Sequence, residues 1–219
     1  MAKIVIFGNK EIAELANFYF SHDTAHEVVA FTADGEYVKE DSFQGLPVVA
    51  FEEIENRFAP ENHLMFVALS YAQLNLLRKT KYLAAKAKGY KLASYICSKA
   101  HWWNENKIGE NCFILEDVII QPFVEIGNNV FIWSGNHIGH HTQIKDHAFI
   151  TSHVVMGGGV VIGEQCFVGI NATIRDHVSI GDRCIIGAAA CIMSDTEPDG
   201  LYLGAASPRA KTPSSKIKL

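Results

Sequence analysis

The sequence predicts two folds in series: a small α/β domain with a parallel sheet, followed by a parallel β-helix. Two observations support this. Strand-like and helix-like segments alternate from residue 3 to residue 96, and from residue 108 the chain divides into sixes without a break. Alternating strands and helices are typical of parallel sheets with right-handed crossovers, and a six-residue period is typical of a β-helix. A chain of 219 residues is long enough for two such domains.

The first half reads as a Rossmann-like α/β unit. Apolar residues occur in short continuous runs for the strands and at helical spacing for the helices. The predicted strands lie at 3–8, 27–34, 46–51, 63–70 and 91–96, and the predicted helices lie at 9–20, near 52–58 and at 71–90. Ligands of such sheets bind at the carboxyl ends of the strands.

A glycine turn follows the first strand, at the place where a phosphate loop would lie. The turn Gly8-Asn9-Lys10 is not G-x-G-x-x-G, so it does not predict NAD binding. Two interpretations stay open: a tight turn alone, or backbone N–H groups that hold part of a nucleotide diphosphate. In the second, Asp34 accepts hydrogen bonds from the base or ribose. Ser70 and Tyr71, just past the fourth strand, line the same edge.

The second half is one long repeat of fifteen hexads, from Ile108 onward. The first position is Ile in every copy except those that begin with Met156 and Val168, and the fifth position is small or of modest size. Three hexads close one triangular coil, so residues eighteen apart stack on one another. The first position then forms an inward column, and the fifth fills a corner. The cysteines at fifth positions are predicted to be corner fillers and not nucleophiles: Cys112, Cys166 and Cys184.

Two adjacent histidines, His140 and His141, occupy the third and fourth positions of their hexad. One coil further along, the same places fall in MGGGVV. We expect Gly157, Gly158 and Gly159 to leave a bare groove with accessible N–H groups, one of which points at a developing oxyanion. A neutral imidazole beside that groove is a suitable general base.

Other histidines are predicted to be solvated surface residues. This group comprises His22, His26, His63, His147 and His153.

Composition excludes several classes of protein. The net charge of −5 argues against a general nucleic-acid binder, which needs a basic face. The first apolar run is too short for a signal peptide, and no segment is long enough to cross a bilayer. Five cysteines without C-x-x-C spacing favour a reduced protein. We therefore expect a cytoplasmic protein with no nucleic-acid or membrane partner and no metal.

The unbroken hexads, the GHH element and the tail LYLGAASPRAK resemble the left-handed β-helix acyltransferases. With the preceding α/β domain, the chain is similar to bacterial nucleotide-sugar acyltransferases related to sialic-acid O-acetyltransferases. That group includes enzymes of glycan and O-antigen biosynthesis that N-acetylate UDP- or dTDP-linked 4-amino-6-deoxy sugars. The resemblance implies a nucleotide-sugar-binding domain at 1–97, a left-handed β-helix acyltransferase domain at 98–200, and a tail at 201–219 near the coenzyme A site.

The resemblance also implies a homotrimer with active sites between neighbouring β-helices. Acetyl-CoA is the co-substrate and lies along the coils, and a nucleotide-linked amino sugar is the acceptor. His140 matches the base, and Gly158 matches the position whose N–H meets the thioester carbonyl. His141 stands where the family usually has an acidic residue, so it either supports the base or contacts the sugar. The coenzyme positions are Gly157, Gly159, Ala188, Gly204 and Arg209.

Three alternatives stay open at this stage. The acceptor is a hydroxyl instead of an amine, which makes the enzyme an O-acetyltransferase. A metal-dependent protein like the β-helical carbonic anhydrases uses His141 and His177, which lie two coils apart on one face. A non-catalytic sugar-nucleotide sensor keeps the fold without the chemistry. The sequence does not specify the nucleotide, the sugar stereochemistry or an acyl group other than acetyl.

Overall fold

The computed structural model describes residues 1–209 and 211–217, and it contains the predicted α/β domain followed by a β-helix. The first domain has six strands in the order β3-β4-β2-β1-β5-β6, all parallel except for the β3–β4 hairpin at one edge. Its elements are β1 (Lys3–Phe7), α1 (Glu11–Asp23), β2 (Glu27–Ala33), β3 (Ser42–Phe43), β4 (Leu46–Ala50), α2 (Ile54–Arg57), β5 (His63–Val67), α3 (Leu76–Ala87) and β6 (Lys91–Leu92).

The chain reverses its direction of travel across this sheet between β1 and β5. From β1 it passes to β2 on one side, and it later returns to β5 on the other side of β1. A reversal of strand order leaves a crevice at the carboxyl ends of the two central strands, because their connections leave in opposite directions. The ends of β1 and β5 are therefore the expected ligand position in this domain.

The third helix begins at Leu76, so the prediction of a helix from residue 71 is wrong at its start. Three consecutive residues before it have left-handed backbone: Gln73, Leu74 and Asn75, with φ of 53°, 51° and 65°. A right-handed helix cannot contain such residues. Contacts of Leu74 and Asn75 with the β-helix, described below, hold this segment in its conformation.

The β-helix has three parallel sheets of two-residue strands. Sheet 1 packs on the first domain and contains β7 (Tyr95–Ile96), β9 (Phe113–Ile114), β12 (Phe131–Ile132), β15 (Phe149–Ile150), β18 (Phe167–Val168), β21 (Ile185–Ile186) and β23 (Leu201–Tyr202). Sheet 2 contains β10 (Ile119–Ile120), β13 (His137–Ile138), β16 (Val155–Met156), β19 (Thr173–Ile174) and β22 (Cys191–Ile192). Sheet 3 contains β8 (Lys107–Ile108), β11 (Glu125–Ile126), β14 (Gln143–Ile144), β17 (Val161–Ile162) and β20 (Ser179–Ile180).

Strand pairing confirms the eighteen-residue coil. Ile138 pairs with Met156, and Met156 pairs with Ile174, so each first-position residue lies on its counterpart one coil away. First-position side chains form one continuous buried core, and the fifth-position residues fill its corners. Cys112, Cys166 and Cys184 are fully buried among them, as predicted.

The predicted strand at 91–96 is divided between the two domains. Lys91–Leu92 completes the first sheet as β6, whereas Tyr95–Ile96 pairs with Phe113–Ile114 and so becomes a strand of sheet 1. The β-helix therefore starts from a strand supplied by the end of the α/β domain.

Aromatic rings join the two domains. Phe113, Phe131 and Phe149 stand one above another on the outer face of sheet 1, with ring centroids 5.4 and 5.9 Å apart. Phe66 of β5 stacks on Phe131 at 5.9 Å, and Phe20 of α1 packs against Phe66 at 5.2 Å. These rings belong to one buried cluster, so the sheet of the first domain and sheet 1 share a hydrophobic core. Among the described residues, no helix combines the length and hydrophobicity that crossing a membrane requires.

Candidate active site

The candidate catalytic histidines lie at the turn between sheet 2 and sheet 3. His140 and His141 are both exposed, and their Nδ1 atoms are 3.0 Å apart. The rings are nearly perpendicular, at 88°. The His140 backbone N–H donates to Gln121 Oε1 at 2.9 Å, and Phe123 packs against the His141 ring at 4.7 Å. The contact between the rings requires one Nδ1 to donate and the other to accept.

The His140 ring lies over Gly158 of the next coil. A Cβ at position 158 would be 2.5 Å from His140 Cε1 and 2.7 Å from Nε2, so any other residue there displaces the ring. In the described part of the chain, the Gly158 N–H donates to no protein acceptor. The structure thus brings together an imidazole and a backbone donor, the pair that the sequence predicted.

The glycine strip is not the bare groove that the sequence predicted. The His140 ring occupies the space over Gly158, and the His177 ring, from the coil above, occupies the space over Gly159, where a Cβ would be 2.5 Å from Nδ1. Gly157 lies so close to the next coil that its Cβ would be 2.5 Å from the Asp176 backbone nitrogen. The prediction failed here because absent side chains make room for the imidazoles of neighbouring coils.

A structural requirement explains most of the histidines in the repeat. The fourth position of each hexad from Asn111 to Ala189 has φ between 54° and 73°. Asn, Asp and His tolerate this left-handed conformation better than other side chains. His141, His147, His153 and His177 all occupy fourth positions. His140 does not, so turn geometry gives no reason for it.

His147 is a correction to the sequence-based prediction, which made it a solvated surface residue. It is buried, with 5 % of its surface exposed. Its Nδ1 accepts a hydrogen bond from Asn129 Nδ2 at 3.0 Å. Burial lowers the pKa of His147 to about 4, because desolvation penalises the charged imidazolium. This histidine belongs to the contact between the domains and not to a catalytic site.

The predicted substrate residues are only partly brought together. A cleft of about 790 Å³ lies at the carboxyl ends of β1 and β5, and Lys10, Ser70 and Tyr71 are among its lining residues. Trp133, at the second position of its hexad, closes the cleft from the β-helix side. Sequence analysis did not select Trp133; the only signal was an aromatic residue at a position where glycine is frequent.

The other predicted substrate residues are already engaged within the protein. Gly8 is buried, and its N–H donates to the Thr32 carbonyl at 2.7 Å. The Asn9 side chain donates to the Tyr37 carbonyl at 3.0 Å. Asp34 forms an ion pair with Lys81 at 2.6 Å and does not line the cleft at β1 and β5. For Gly8, the turn interpretation fits these contacts better than phosphate binding does.

The other predicted coenzyme residues, Ala188, Gly204 and Arg209, lie near or after the last strands of the β-helix. Ala188 is exposed at a turn, and Gly204 packs so closely on the Ala188 carbonyl that a Cβ would overlap it. Arg209 is exposed. Residues 210, 218 and 219 of the predicted tail lie outside the described residues.

Two of the buried cysteines, Cys112 and Cys166, are poor candidates for an acyl-enzyme nucleophile. Burial raises the pKa of Cys112 and of Cys166 to about 12, which keeps both thiols protonated at neutral pH. Within residues 1–209 and 211–217, no three His, Cys, Asp or Glu side chains cluster as a metal would require.

Comparison with known proteins defines the class of fold. Residues 107–136, 125–158 and 159–193 match the family described as bacterial transferase hexapeptide (six repeats). The β-helix of this chain is therefore similar in sequence to that family. No curated protein matches the chain in sequence.

Solved structures share the whole two-domain fold. The acetyltransferase domain of PglB from Neisseria gonorrhoeae is 23 % identical with a TM-score of 0.81, over 93 % of this chain and 97 % of that one. A histidine-to-asparagine variant of perosamine N-acetyltransferase from Caulobacter crescentus, in complex with CoA and GDP-perosamine, is also 23 % identical with a TM-score of 0.81, over 93 % and 94 %. These likenesses confirm an α/β domain followed by a left-handed β-helix.

Proposed function

We propose that this protein transfers an acetyl group from acetyl-CoA to the amine of a nucleotide-linked amino-deoxy sugar. The observation that supports it most directly is the His140 imidazole lying over the Gly158 peptide, whose N–H has no acceptor among the residues that the structure describes. A base beside an unengaged backbone donor suits acyl transfer, in which a nucleophile loses a proton while a carbonyl oxygen becomes negative. Fold neighbours include perosamine N-acetyltransferase in complex with CoA and GDP-perosamine.

The proposed reaction is a direct transfer of the acetyl group from acetyl-CoA to the sugar amine, without an acyl-enzyme intermediate. The sugar amine attacks the thioester carbonyl carbon, and His140 Nε2 takes the amine proton. The oxyanion of the tetrahedral intermediate accepts a hydrogen bond from the Gly158 N–H. The C–S bond then breaks, and the CoA thiolate takes the proton from the imidazolium. The products are the acetamido sugar and CoA.

His141 sets the tautomer of the base. For His140 Nε2 to be unprotonated, its Nδ1 must carry the hydrogen and donate to His141 Nδ1, 3.0 Å away. His141 then carries its own hydrogen on Nε2. This assigns to an imidazole the supporting role that an acidic residue has in the family, and it leaves sugar contact as the less favoured role.

The cleft at β1 and β5 is the proposed nucleotide-sugar site. Lys10 offers a positive charge to a diphosphate, and Tyr71 and Trp133 offer aromatic faces to the base or sugar. Acetyl-CoA is assigned to the outer wall from Gly157 and Gly159 toward Ala188, Gly204 and Arg209. Because the cleft and His140 lie at different turns of one coil, the proposal includes a homotrimer in which the site forms between chains.

The test is thiol release from acetyl-CoA in the presence of UDP-, dTDP- and GDP-linked 4-amino sugars, with 4-hydroxy sugars as the comparison. Turnover with amines supports N-acetylation, and turnover only with hydroxyls supports an O-acetyltransferase. His140→Ala should lower kcat by about 10²–10⁴-fold, which is typical of general-base loss.

His153→Ala is the matched control. His153 is also exposed and its ring also covers a glycine, but that glycine, Gly135, belongs to the preceding coil. Among the described residues, no second histidine forms a hydrogen bond with the His153 ring. Its activity should stay near that of the unmodified protein. Equal activity of both variants would remove His140 from the mechanism.

A further inference from the structure

The junction between the domains encloses a guanidinium that forms no ion pair with any carboxylate of the described residues. Arg78, in the first turn of α3, is fully buried. Its Nη2 donates to the carbonyls of His147 at 3.0 Å and Ala148 at 3.2 Å, with a longer contact to Asn129 at 3.4 Å. Its carbon Cζ lies 4.4 Å from the centroid of the Phe131 ring. The β-helix therefore holds this cation by backbone dipoles and an aromatic face.

The other end of the same guanidinium holds the segment that precedes α3. Arg78 Nη1 donates to the Ser70 carbonyl at 3.0 Å and to Asn75 Oδ1 at 3.2 Å. We call residues 70–75 the rim segment, since Ser70 and Tyr71 line the proposed nucleotide-sugar cleft. A single planar group thus joins the rim segment to the backbone of the β-helix.

The rim segment has an unfavourable backbone that persists only because its surroundings hold it. Its last three residues are left-handed and none is glycine. Gln165 Nε2 donates to the Leu74 carbonyl at 2.9 Å, and Asn75 Nδ2 donates to the Cys166 carbonyl at 3.0 Å. The Tyr71 ring packs on Phe149 at 5.1 Å. Each contact comes from the β-helix, so the cleft's wall is shaped by the other domain.

We propose that Arg78 is a positioning residue, which fixes the rim segment against the β-helix and thereby shapes the nucleotide-sugar cleft. This inference rests on the proposed function of that cleft. The geometry requires arginine, because a planar fork reaches acceptors on both sides, whereas a lysine ammonium is a point donor. Arg78 contacts the turn between sheets 3 and 1, whereas His140 and His141 lie at the turn between sheets 2 and 3. Coenzyme binding is therefore not expected to depend on Arg78.

The test compares Arg78→Lys with the unmodified protein by two measurements. Calorimetric titration with UDP, dTDP and GDP measures nucleotide binding, and titration with CoA measures coenzyme binding. Hydrogen–deuterium exchange reports the amides of Asn75 and Leu76, which are hydrogen-bonded to Tyr71 and Gln73 within the turn. We expect at least tenfold weaker nucleotide binding, at least tenfold faster exchange at these two amides, and CoA affinity within twofold.

Lys79→Met is the matched control on the neighbouring residue. It removes a partly exposed ion pair with Glu164 at 2.5 Å, which also joins the domains. Nucleotide affinity should stay within twofold. Asn75→Gly, which keeps the left-handed turn but removes the amide, should weaken nucleotide binding in the same direction as Arg78→Lys. It provides a second route if the arginine variant does not fold.

The outcomes separate the two proposals. If the unmodified protein binds CoA but none of the three nucleotides, the function proposed for the cleft fails. If it binds a nucleotide and Arg78→Lys binds that nucleotide equally well, the positioning role is overturned. A parallel loss of CoA and nucleotide affinity would also overturn it, because general destabilisation would then explain both.

Discussion

His140 and Gly158 form the smallest unit on which the proposed chemistry depends. The imidazole occupies space that exists because position 158 has no side chain. Its neighbour His141 contacts Nδ1 at 3.0 Å and leaves Nε2 available. Since His140 and Gly158 come from consecutive coils, the regular stacking of the β-helix fixes their relative position.

Gly158→Ala should therefore lower activity although it keeps both histidines and the backbone N–H of position 158. The added methyl would be 2.5 Å from His140 Cε1, so the ring must move. A displaced base is expected to lower kcat by about 10²-fold, since small misplacements are costly in catalysis. Thiol release measures the loss, and thermal unfolding checks that the fold persists.

Gly159→Asn is the companion variant for that experiment. Asparagine tolerates the left-handed backbone at this position, where φ is 69°, and its side chain displaces His177 instead of His140. Because Gly159 is also assigned to the acetyl-CoA wall, the comparison uses kcat at saturating acetyl-CoA, which should stay within a few-fold of that of the unmodified protein. If Gly158→Ala and Gly159→Asn lowered kcat equally, His177 would have a role in catalysis that the proposed mechanism does not include.

His147 makes stability depend on pH. Burial lowers its pKa from 6.5 to about 4, so between these values the unfolded chain binds more protons than the folded chain. Above pH 6.5 the neutral His147 costs the protein no stability. As the pH falls from 6.5 toward 4, protonation of His147 in the unfolded chain lowers the free energy of unfolding. The loss is up to about 3 kcal/mol in free energy of unfolding, from about 1.4 kcal/mol per unit.

Urea unfolding at pH 7 and pH 4.5 measures this dependence. His147→Asn keeps a side chain that accepts the left-handed turn, where φ is 66°, but cannot titrate. The difference in unfolding free energy between the two pH values should be smaller in the variant. An identical difference in both proteins would show that His147 does not titrate as its burial implies.

The sequence predicted that His140 lies beside Gly158 but did not predict the burial of His147, and one physical reason explains both. The hexad register gives the stacking partner of a side chain, but it does not show what packs on the outside of a sheet. His147 is covered because α3 lies over it, with Tyr82 at 5.5 Å. Sequence analysis likewise did not select Arg78. Its partners in the β-helix are backbone carbonyls, which every residue has and which no sequence pattern identifies.

At the level of elements, the hexad turn is the feature that sets what each position tolerates. The fourth position is left-handed throughout the run from Asn111 to Ala189, and asparagine, aspartate, histidine or glycine occupies most of it. The sequence indicated the first and fifth positions through their apolar residues. The fourth position was missed because its constraint is on backbone conformation and not on hydrophobicity.

Asn171 offers a clean test of the turn, because its side chain is exposed and its φ is 58°. Asn171→Val should lower the free energy of unfolding by about 1–2 kcal/mol, since a left-handed backbone disfavours a β-branched side chain. Asn171→Gly should be neutral within about 0.5 kcal/mol. Chemical denaturation compares the two, and equal stabilities would argue that the turn is not held in this conformation.

The start of α3 shows how contact between domains overrides helical periodicity. The apolar spacing continues back to residue 71, yet the last three residues of the rim segment are left-handed because the segment is hydrogen-bonded to the β-helix. Similarly, the end of the first domain reads as one strand but pairs with two different sheets. In both cases the local pattern was correct, but tertiary contacts decided the structure.

At the level of the whole molecule, the two parts of the proposed site are separated within one chain. The nucleotide-sugar cleft includes Trp133, at the turn after sheet 1, whereas His140 lies at the turn after sheet 2. None of the residues that line the cleft belongs to the histidine turn. The proposed trimer resolves this separation by bringing the cleft of one chain to the histidine of another.

Mixing of inactive variants tests the shared site. His140→Ala keeps the cleft, and Ser70→Trp obstructs it while keeping the histidine. Co-refolded at equal amounts, random trimers should place an intact cleft beside an intact histidine at about a quarter of their interfaces, and activity should recover to that fraction. Each variant alone should be inactive, and a mixture without activity would place the whole site within one chain.

The order of folding follows from one pairing. Because Tyr95–Ile96 directly follows β6, the last strand of the α/β sheet, and pairs with Phe113–Ile114, the repeats do not have to nucleate by themselves. During synthesis the N-terminal domain emerges first, and Tyr95–Ile96 then offers a strand with which the first coil of the β-helix pairs. Tyr95–Ile96 also covers the exposed edge of Phe113–Ile114. An uncovered edge would be free to pair with another partly folded chain, and natural sheets avoid aggregation by covering such edges.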